Sequence, residues 1–126
     1  MEKSRKCKYC ENTYSIEKFS ICKVIGDKAY RRWKCDSCYV GRKAERRKEI
    51  RSWLNDYKSK LKCKDCGMND FRCIEFHHAN GNKSFNIGDA VKRGLSRETI
   101  LKEIDKCVPL CANCHRIETW NESNRV

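Results

Sequence analysis

Residues 107–116 read Cys107-Val108-Pro109-Leu110-Cys111-Ala112-Asn113-Cys114-His115-Arg116. Val108-Pro109-Leu110 reads as a short strand, and Cys111 and Cys114 have the Cys-x-x-Cys spacing of a zinc knuckle. A helix is predicted from about Ala112 to Glu122, which sets His115 in its first turn, directly after a metal-binding thiol. Working back along the chain, Cys63-Lys64-Asp65-Cys66-Gly67 is the knuckle that would pair with Cys111 and Cys114. Cys73-Ile74-Glu75-Phe76-His77 alternates like a strand, and it ends at His78-Ala79-Asn80-Gly81, where Asn80-Gly81 is a turn signal. Two short helices follow. The first spans about Ile87–Arg93 and is stopped by Gly94. The second starts after Ser96 as N-cap and places Ile100, Leu101 and Ile104 on one side. Closing the four cysteines around one ion ties the last helix to the start of the strand region. That brings His115 towards His77 and His78, and these three are all the histidines the chain has.

Before Lys62 the pattern changes. From about Arg42 to Lys62 the chain lacks proline, and Ile50, Trp53, Leu54, Tyr57 and Leu61 recur at helical spacing. Arg42, Lys43, Arg46, Arg47, Lys48 and Arg51 crowd the first half of this helix and are spread around it. The segment reads either as a phosphate-contacting helix between two modules or as a solvated linker. Gly41 costs about 1 kcal/mol in a helix interior, which leaves open either a continuous helix from Cys38 or a kink or break at Gly41. Residues 1–41 hold the remaining two knuckles, Cys7/Cys10 and Cys35/Cys38, separated by 24 residues. Between them a hairpin is predicted, with strands at about Ser20–Ile25 and Lys28–Lys34 and Gly26-Asp27 at the turn. Knuckle, hairpin, then a helix whose start supplies the second ligand pair is a treble-clef-like plan for a structural zinc site. Three parts result: a zinc module at 1–41, a basic linker helix at 42–61, and a second zinc-bearing module at 62–126.

Composition explains why metal is needed. Leu, Ile, Val and Phe number 23 of 126 residues, and the formal net charge is +12. Chains this polar and this charged do not bury enough apolar surface to fold unaided. Eight of the eleven cysteines form the four pairs, and Cys22, Cys73 and Cys107 are left over. An odd total is unfavourable for a closed disulfide framework. The chain opens with no apolar signal-peptide core, and no apolar run approaches the ~20 residues that span a bilayer. A reducing, cytoplasmic compartment and thiolate–zinc chemistry are therefore expected. Eight thiolates around two Zn²⁺ still leave a formal charge of about +8. A surplus of that size points to a polyanionic partner. The leftover cysteines read as small buried hydrophobes, and Trp33, Trp53 and Trp120 read as packing residues.

Taken together, Cys63-x-x-Cys66-Gly67, Ile74-Glu75-Phe76-His77-His78 and Lys106-Cys107-Val108-Pro109-Leu110-Cys111-Ala112-Asn113-Cys114-His115-Arg116 resemble the HNH endonuclease family. The likeness is to its small zinc-containing phage and prophage members and covers about residues 62–120. It implies an α+β chain whose C-terminal module is a ββα-metal fold. It also implies a metal-dependent endonuclease acting on DNA, expected to be double-stranded, and leaving 5′-phosphate and 3′-hydroxyl ends. In that reading His77 and His115 bind a catalytic divalent ion (Mg²⁺, Mn²⁺, Ni²⁺ or Zn²⁺) and His78 is the general base. A neutral histidine suits that task near physiological pH. Glu118, three residues after His115, is on the same helix face and is a candidate third ligand. Lys83 and Arg116 flank the site as candidate phosphate contacts. Two positions depart from the pattern. Thr119 stands where many members place a further histidine, and Lys106 falls near the middle Asn of the family name. A decayed, non-catalytic zinc protein that binds nucleic acid is the alternative these departures leave open.

Overall fold

In the computed structural model, which describes residues 2–79 and 81–125, the chain is a small α+β protein. Of the Asn80-Gly81 turn signal, Asn80 lies outside the described residues, while Gly81 has the left-handed φ of +66° that the turn requires. The described residues form three separate two-stranded antiparallel sheets and four α-helices. No helix among them is long and apolar enough to cross a membrane. The chain divides into two compact units, Met1–Glu45 and Arg46–Val126, and the boundary falls inside the long basic helix.

The first unit opens with β1 (Ser4–Lys6) and β2 (Thr13–Ser15), which pair across the first knuckle. This hairpin was not expected, because three-residue strands of mostly polar side chains carry no period-2 apolar signal. The expected hairpin is β3 (Ile21–Ile25) and β4 (Lys28–Arg31), turning at Gly26 with φ +60°. Its second strand ends three residues short of the predicted Lys34. The buried core here is Cys7, Phe19 and Cys35, with Cys10, Tyr14 and Cys38 packed against it. One phenyl ring and four thiols are too little apolar surface for a fold of this length. Sulfur–metal bonds are the natural supplement.

Helix α1 (Asp36–Ser59) begins at the second ligand pair, as the treble-clef-like plan predicts, and runs through Gly41 into the segment predicted from Arg42 without interruption. Of the two alternatives at Gly41 the continuous helix is realised, and Asp36 anchors its start. Its carboxylate accepts from the Ser20 backbone N–H at 2.9 Å, and the Ser20 hydroxyl foremost, together with that N–H, holds its pKa below the usual carboxylate range. Within the second unit, Ile50 and Leu54 are the buried residues of α1, and Trp53, Tyr57 and Leu61 pack around them. The C-terminal half of the helix is thus core rather than linker.

Two helices complete that core. Helix α2 (Ile87–Arg93) ends at Gly94 with φ +66°, and α3 (Arg97–Ile104) is capped by Ser96, whose Oγ accepts from the Thr99 N–H at 3.1 Å. Ile87, Ala90, Val91, Ile100 and Ile104 meet Ile50, Leu54 and Phe76. Strand β5 (Ile74–His78) pairs antiparallel with β6 (Cys107–Cys111) in the register His77↔Val108 and His78↔Cys107. Helix α4 (Ala112–Ser123) follows β6 directly and packs on both strands.

Candidate metal centres and histidine cleft

The four sulfurs of Cys7, Cys10, Cys35 and Cys38 lie within 4.8 Å of one another, and so do those of Cys63, Cys66, Cys111 and Cys114. A tetrahedral Zn²⁺ with Zn–S bonds of 2.3 Å spaces its sulfurs by about 3.8 Å, so both groups fit a structural Zn²⁺. Their surroundings fit as well. Burial alone would raise the Cys7 thiol, but N–H groups of Cys35, Cys10 and Tyr9 outweigh it and bring the pKa down to about 6. Cys63 is lowered to about 6 in the same way by N–H groups of Cys111, Cys66 and Asp65. In each group another thiol moves the opposite way. The Cys35 sulfur foremost pushes Cys38 up to about 12, and Cys111 foremost pushes Cys114 up. Four thiolates crowded together cannot all ionise without a cation between them.

The two knuckles differ at one backbone position. After Cys66 comes Gly67 at φ +77°, whereas after Cys10 comes Glu11 at φ +63°, the only positive-φ non-glycine among the described residues. Both turns return an N–H to the first cysteine carbonyl, from Gly67 at 2.9 Å and from Glu11 at 3.1 Å. The second knuckle is also tied to β6 by the Lys64 N–H donating to the Pro109 carbonyl at 2.9 Å.

Strand alternation sends the paired histidines to opposite sides of β5. Glu75 and His77 share the α4 side. There Nε2 of His77 is 2.9 Å from Oε1 of Glu122, and Nδ1 of His115 is 2.7 Å from Oε1 of Glu75. The His77 and His115 rings stand edge to face, 5.1 Å between centroids. Ligand atoms of His77, Glu118 and Glu122 come within 4.8 Å of one another, a donor set of one imidazole and two carboxylates suited to a divalent ion. Sequence reasoning named His77 and Glu118 but missed Glu122, which lies one helical turn beyond Glu118. His115 stands beside this group, paired with Glu75. The Thr119 hydroxyl donates to the His115 carbonyl in its own helix at 2.9 Å.

His78 turns to the other side, where Nε2 is 2.8 Å from Oε2 of Glu103, a carboxylate 2% exposed. The same Oε2 accepts from the Ser84 N–H at 2.9 Å, and Oε1 accepts from Lys106 Nζ at 2.8 Å. Lys106 also donates to Ser84 Oγ at 3.0 Å. Lys106 and Glu103 together therefore brace the loop beyond His78. Burial works to raise the Glu103 pKa, but Lys106, Ser84 and His78 overcome it and hold it at about 2. The carboxylate is thus ionised and only accepts, so Nε2 of His78 is the donor in that pair and Nδ1 is the ring nitrogen left outside it.

All three histidines line one cleft of about 590 Å³, together with Glu75, Lys58 and Lys83. Lys58 was not anticipated; burial lowers its pKa and Glu75 partly opposes that. Of the expected phosphate contacts, Arg42, Lys43, Lys48, Arg51, Lys83 and Arg116 are exposed and Arg47 is half-buried. Arg46 is engaged: its Nε donates to the Gly94 carbonyl at 2.9 Å, tying α1 to the α2–α3 corner. Three other expectations fail. Cys22 is exposed rather than buried, and Trp33 and Trp120 are 55% and 66% exposed rather than packed. Cys22 lies at the bulge of β3, where the hairpin has no layer to cover it.

Compared with protein-family models, curated proteins and solved structures, the chain matches none.

Proposed function

We propose that the second unit is the catalytic part of a metal-dependent DNA endonuclease of the HNH type, with two structural zinc sites holding the chain and a separate divalent ion at the cleft. The observation that carries this reading is the convergence of His77, His78 and His115 on one cleft beside Glu118 and Glu122. The knuckle–hairpin–helix order of the first unit supports a treble-clef-like zinc module. The β5–β6–α4 order supports a ββα-metal module.

In this reading Nδ1 of His78 takes the proton from the attacking water, because Glu103 keeps Nε2 protonated and the ring oriented. His77, Glu118 and Glu122 hold the divalent ion, with His115 adjacent. When bound, that ion neutralises charge on the scissile phosphate. Lys58 and Lys83 face the same cleft and bind phosphate oxygens. In-line attack then displaces the 3′ oxygen, leaving a 5′-phosphate.

The non-catalytic alternative has one specific observation in its favour. The Thr119 hydroxyl is spent on its own helix and replaces a ligand of the usual motif. Incubation of supercoiled plasmid with the zinc-loaded protein and Mg²⁺, Mn²⁺ or Ni²⁺ decides between the two. Conversion to open-circle or linear DNA is the expected result. DNA that is bound but stays supercoiled with every metal favours the alternative.

A further inference from the structure

The first unit carries a second concentration of chemistry that the histidine cleft does not use. Besides the buried Phe19, four of its aromatic rings have cations over them. Arg5 Cζ is 4.0 Å from the Trp33 centroid, Lys34 Nζ and Arg42 Cζ are each 4.3 Å from Tyr9, and Arg32 Cζ is 3.7 Å from Tyr39. Lys23 Nζ lies 5.3 Å from Tyr30. Yet Trp33, Tyr9 and Tyr30 remain 55%, 48% and 36% exposed. A unit whose buried core is a single phenylalanine and its thiols gains most from burying its large rings, and this one leaves them in water.

Trp33 is held ready. Arg5 donates through Nη1 to the carbonyls of Arg31 and Arg32, at 3.0 Å each, and through Nη2 to Glu2 at 2.6 Å. Its side chain is only 11% exposed. One face of the indole therefore rests on an immobilised guanidinium, and its exposure belongs to the rest of the ring. A rigid aromatic supported this way loses little freedom when a flat ligand lands on it. Tyr9, Tyr30, Trp33 and Tyr39 line one shallow cleft of about 560 Å³, and every charged residue lining it is Lys or Arg.

We propose that this cleft is a stacking site for single-stranded DNA. Unpaired bases lie on Trp33 and Tyr9, and the phosphates run past Lys8, Lys23 and Lys34. Duplex DNA satisfies only the second half of that chemistry, since its bases are already stacked on one another. An apolar protein segment satisfies only the first half. The choice of DNA over RNA rests on the endonuclease reading, while the stacking itself does not.

The test titrates the full-length zinc-loaded protein, at one fixed salt concentration and without added Mg²⁺ or Mn²⁺, with labelled oligo-dT, oligo-rU and a blunt DNA duplex. Trp33→Ala and Tyr9→Ala should each weaken oligo-dT binding by about tenfold, with duplex binding changed by less than about twofold. Trp33→Phe, which keeps an aromatic face, should recover most of the loss. Zinc content identifies any variant that has lost its fold, in which case Tyr9→Ala and Trp33→Phe carry the decision. Equal losses for duplex and oligo-dT, or no loss in either alanine variant with its zinc intact, overturn the proposal. So does tighter binding of oligo-rU than of oligo-dT, or displacement of oligo-dT by poly-glutamate at matched charge. Failure of the wild-type protein to cleave plasmid with any divalent ion removes the endonuclease reading, while the binding comparison between oligo-dT and duplex is read without cleavage and stands or falls by itself.

Discussion

Nε2 of His78 donates to Oε2 of Glu103 across 2.8 Å, and Glu103 is the one buried carboxylate among the described residues. An ionised acid in that position is stable only because Lys106 Nζ and the Ser84 N–H meet it as well. The arrangement couples three things: the tautomer of His78, the loop that carries Ser84, and the end of α3.

Glu103→Gln removes the charge and keeps the shape. Cleavage is expected to fall by about tenfold or more, since a neutral amide no longer dictates the His78 tautomer. ¹⁵N spectra of the His78 ring should then show loss of the single Nε2–H form, with zinc content unchanged. An unaltered tautomer and undiminished cleavage would remove Glu103 from this role.

The same carboxylate predicts a pH dependence of stability. Its folded pKa of about 2 lies below its ordinary value of 4.5. The stability it contributes is therefore fully present above pH 4.5 and lost as pH falls through that value towards 2. Zinc thiolates protonate in acid too, so the quantity to measure is the difference between wild type and Glu103→Gln. That difference in denaturant midpoint should be flat from neutral pH down to about 5 and shrink below it. A difference that grows on acidification would contradict the assignment.

Each zinc site should hold its own unit. Cys63→Ser is expected to lower bound zinc from two ions to one and to collapse the amide spectrum of residues 46–126, leaving signals of the first unit dispersed. Cys7→Ser should do the reverse. Structural zinc contributes roughly 10–16 kcal/mol in zinc-finger peptides, more than a small domain's whole stability. A folded Cys63→Ser protein with two zincs would refute the pairing.

Glu11 occupies a left-handed backbone position that Gly67 fills in the other knuckle. Glu11→Gly should stabilise the first unit by about 1 kcal/mol through relief of that strain, read as a higher midpoint in urea. A lower midpoint would mean that the side chain contributes more than its backbone costs.

Glu118→Gln with Glu122→Gln should abolish Mn²⁺ binding at the cleft while both zincs stay bound. Calorimetry on the zinc-loaded protein measures it. Undiminished Mn²⁺ affinity in the double variant would shift the site to other ligands.

The cysteines and histidines were legible because spacing alone identifies them: four Cys-x-x-Cys pairs, a doubled histidine and Cys114-His115. Glu103 and Glu122, which pair with His78 and His77, were not, because single acidic residues in a chain so rich in charge carry no pattern. Glu103 did leave a trace. It falls between Ile100 and Ile104 on the buried face of α3, where a charge must have a partner. Glu122 follows Glu118 by four residues and so shares its helix face. The start of α1 was legible, since the treble-clef-like plan puts a helix start at Cys35 and Cys38; its anchor was not, because the bond between Asp36 and the Ser20 N–H is tertiary and no helical periodicity announces it. The exposed Trp33 was misread because an aromatic's default place is the core, and the first unit has almost no core to offer.

Cleavage of supercoiled DNA by wild type and His78→Ala, at equal zinc content and equal DNA occupancy, tests the central claim most directly. The account predicts that both bind, that the wild type converts the plasmid in the presence of a divalent ion, and that His78→Ala leaves it supercoiled. Cleavage by the variant at the wild-type rate would contradict it.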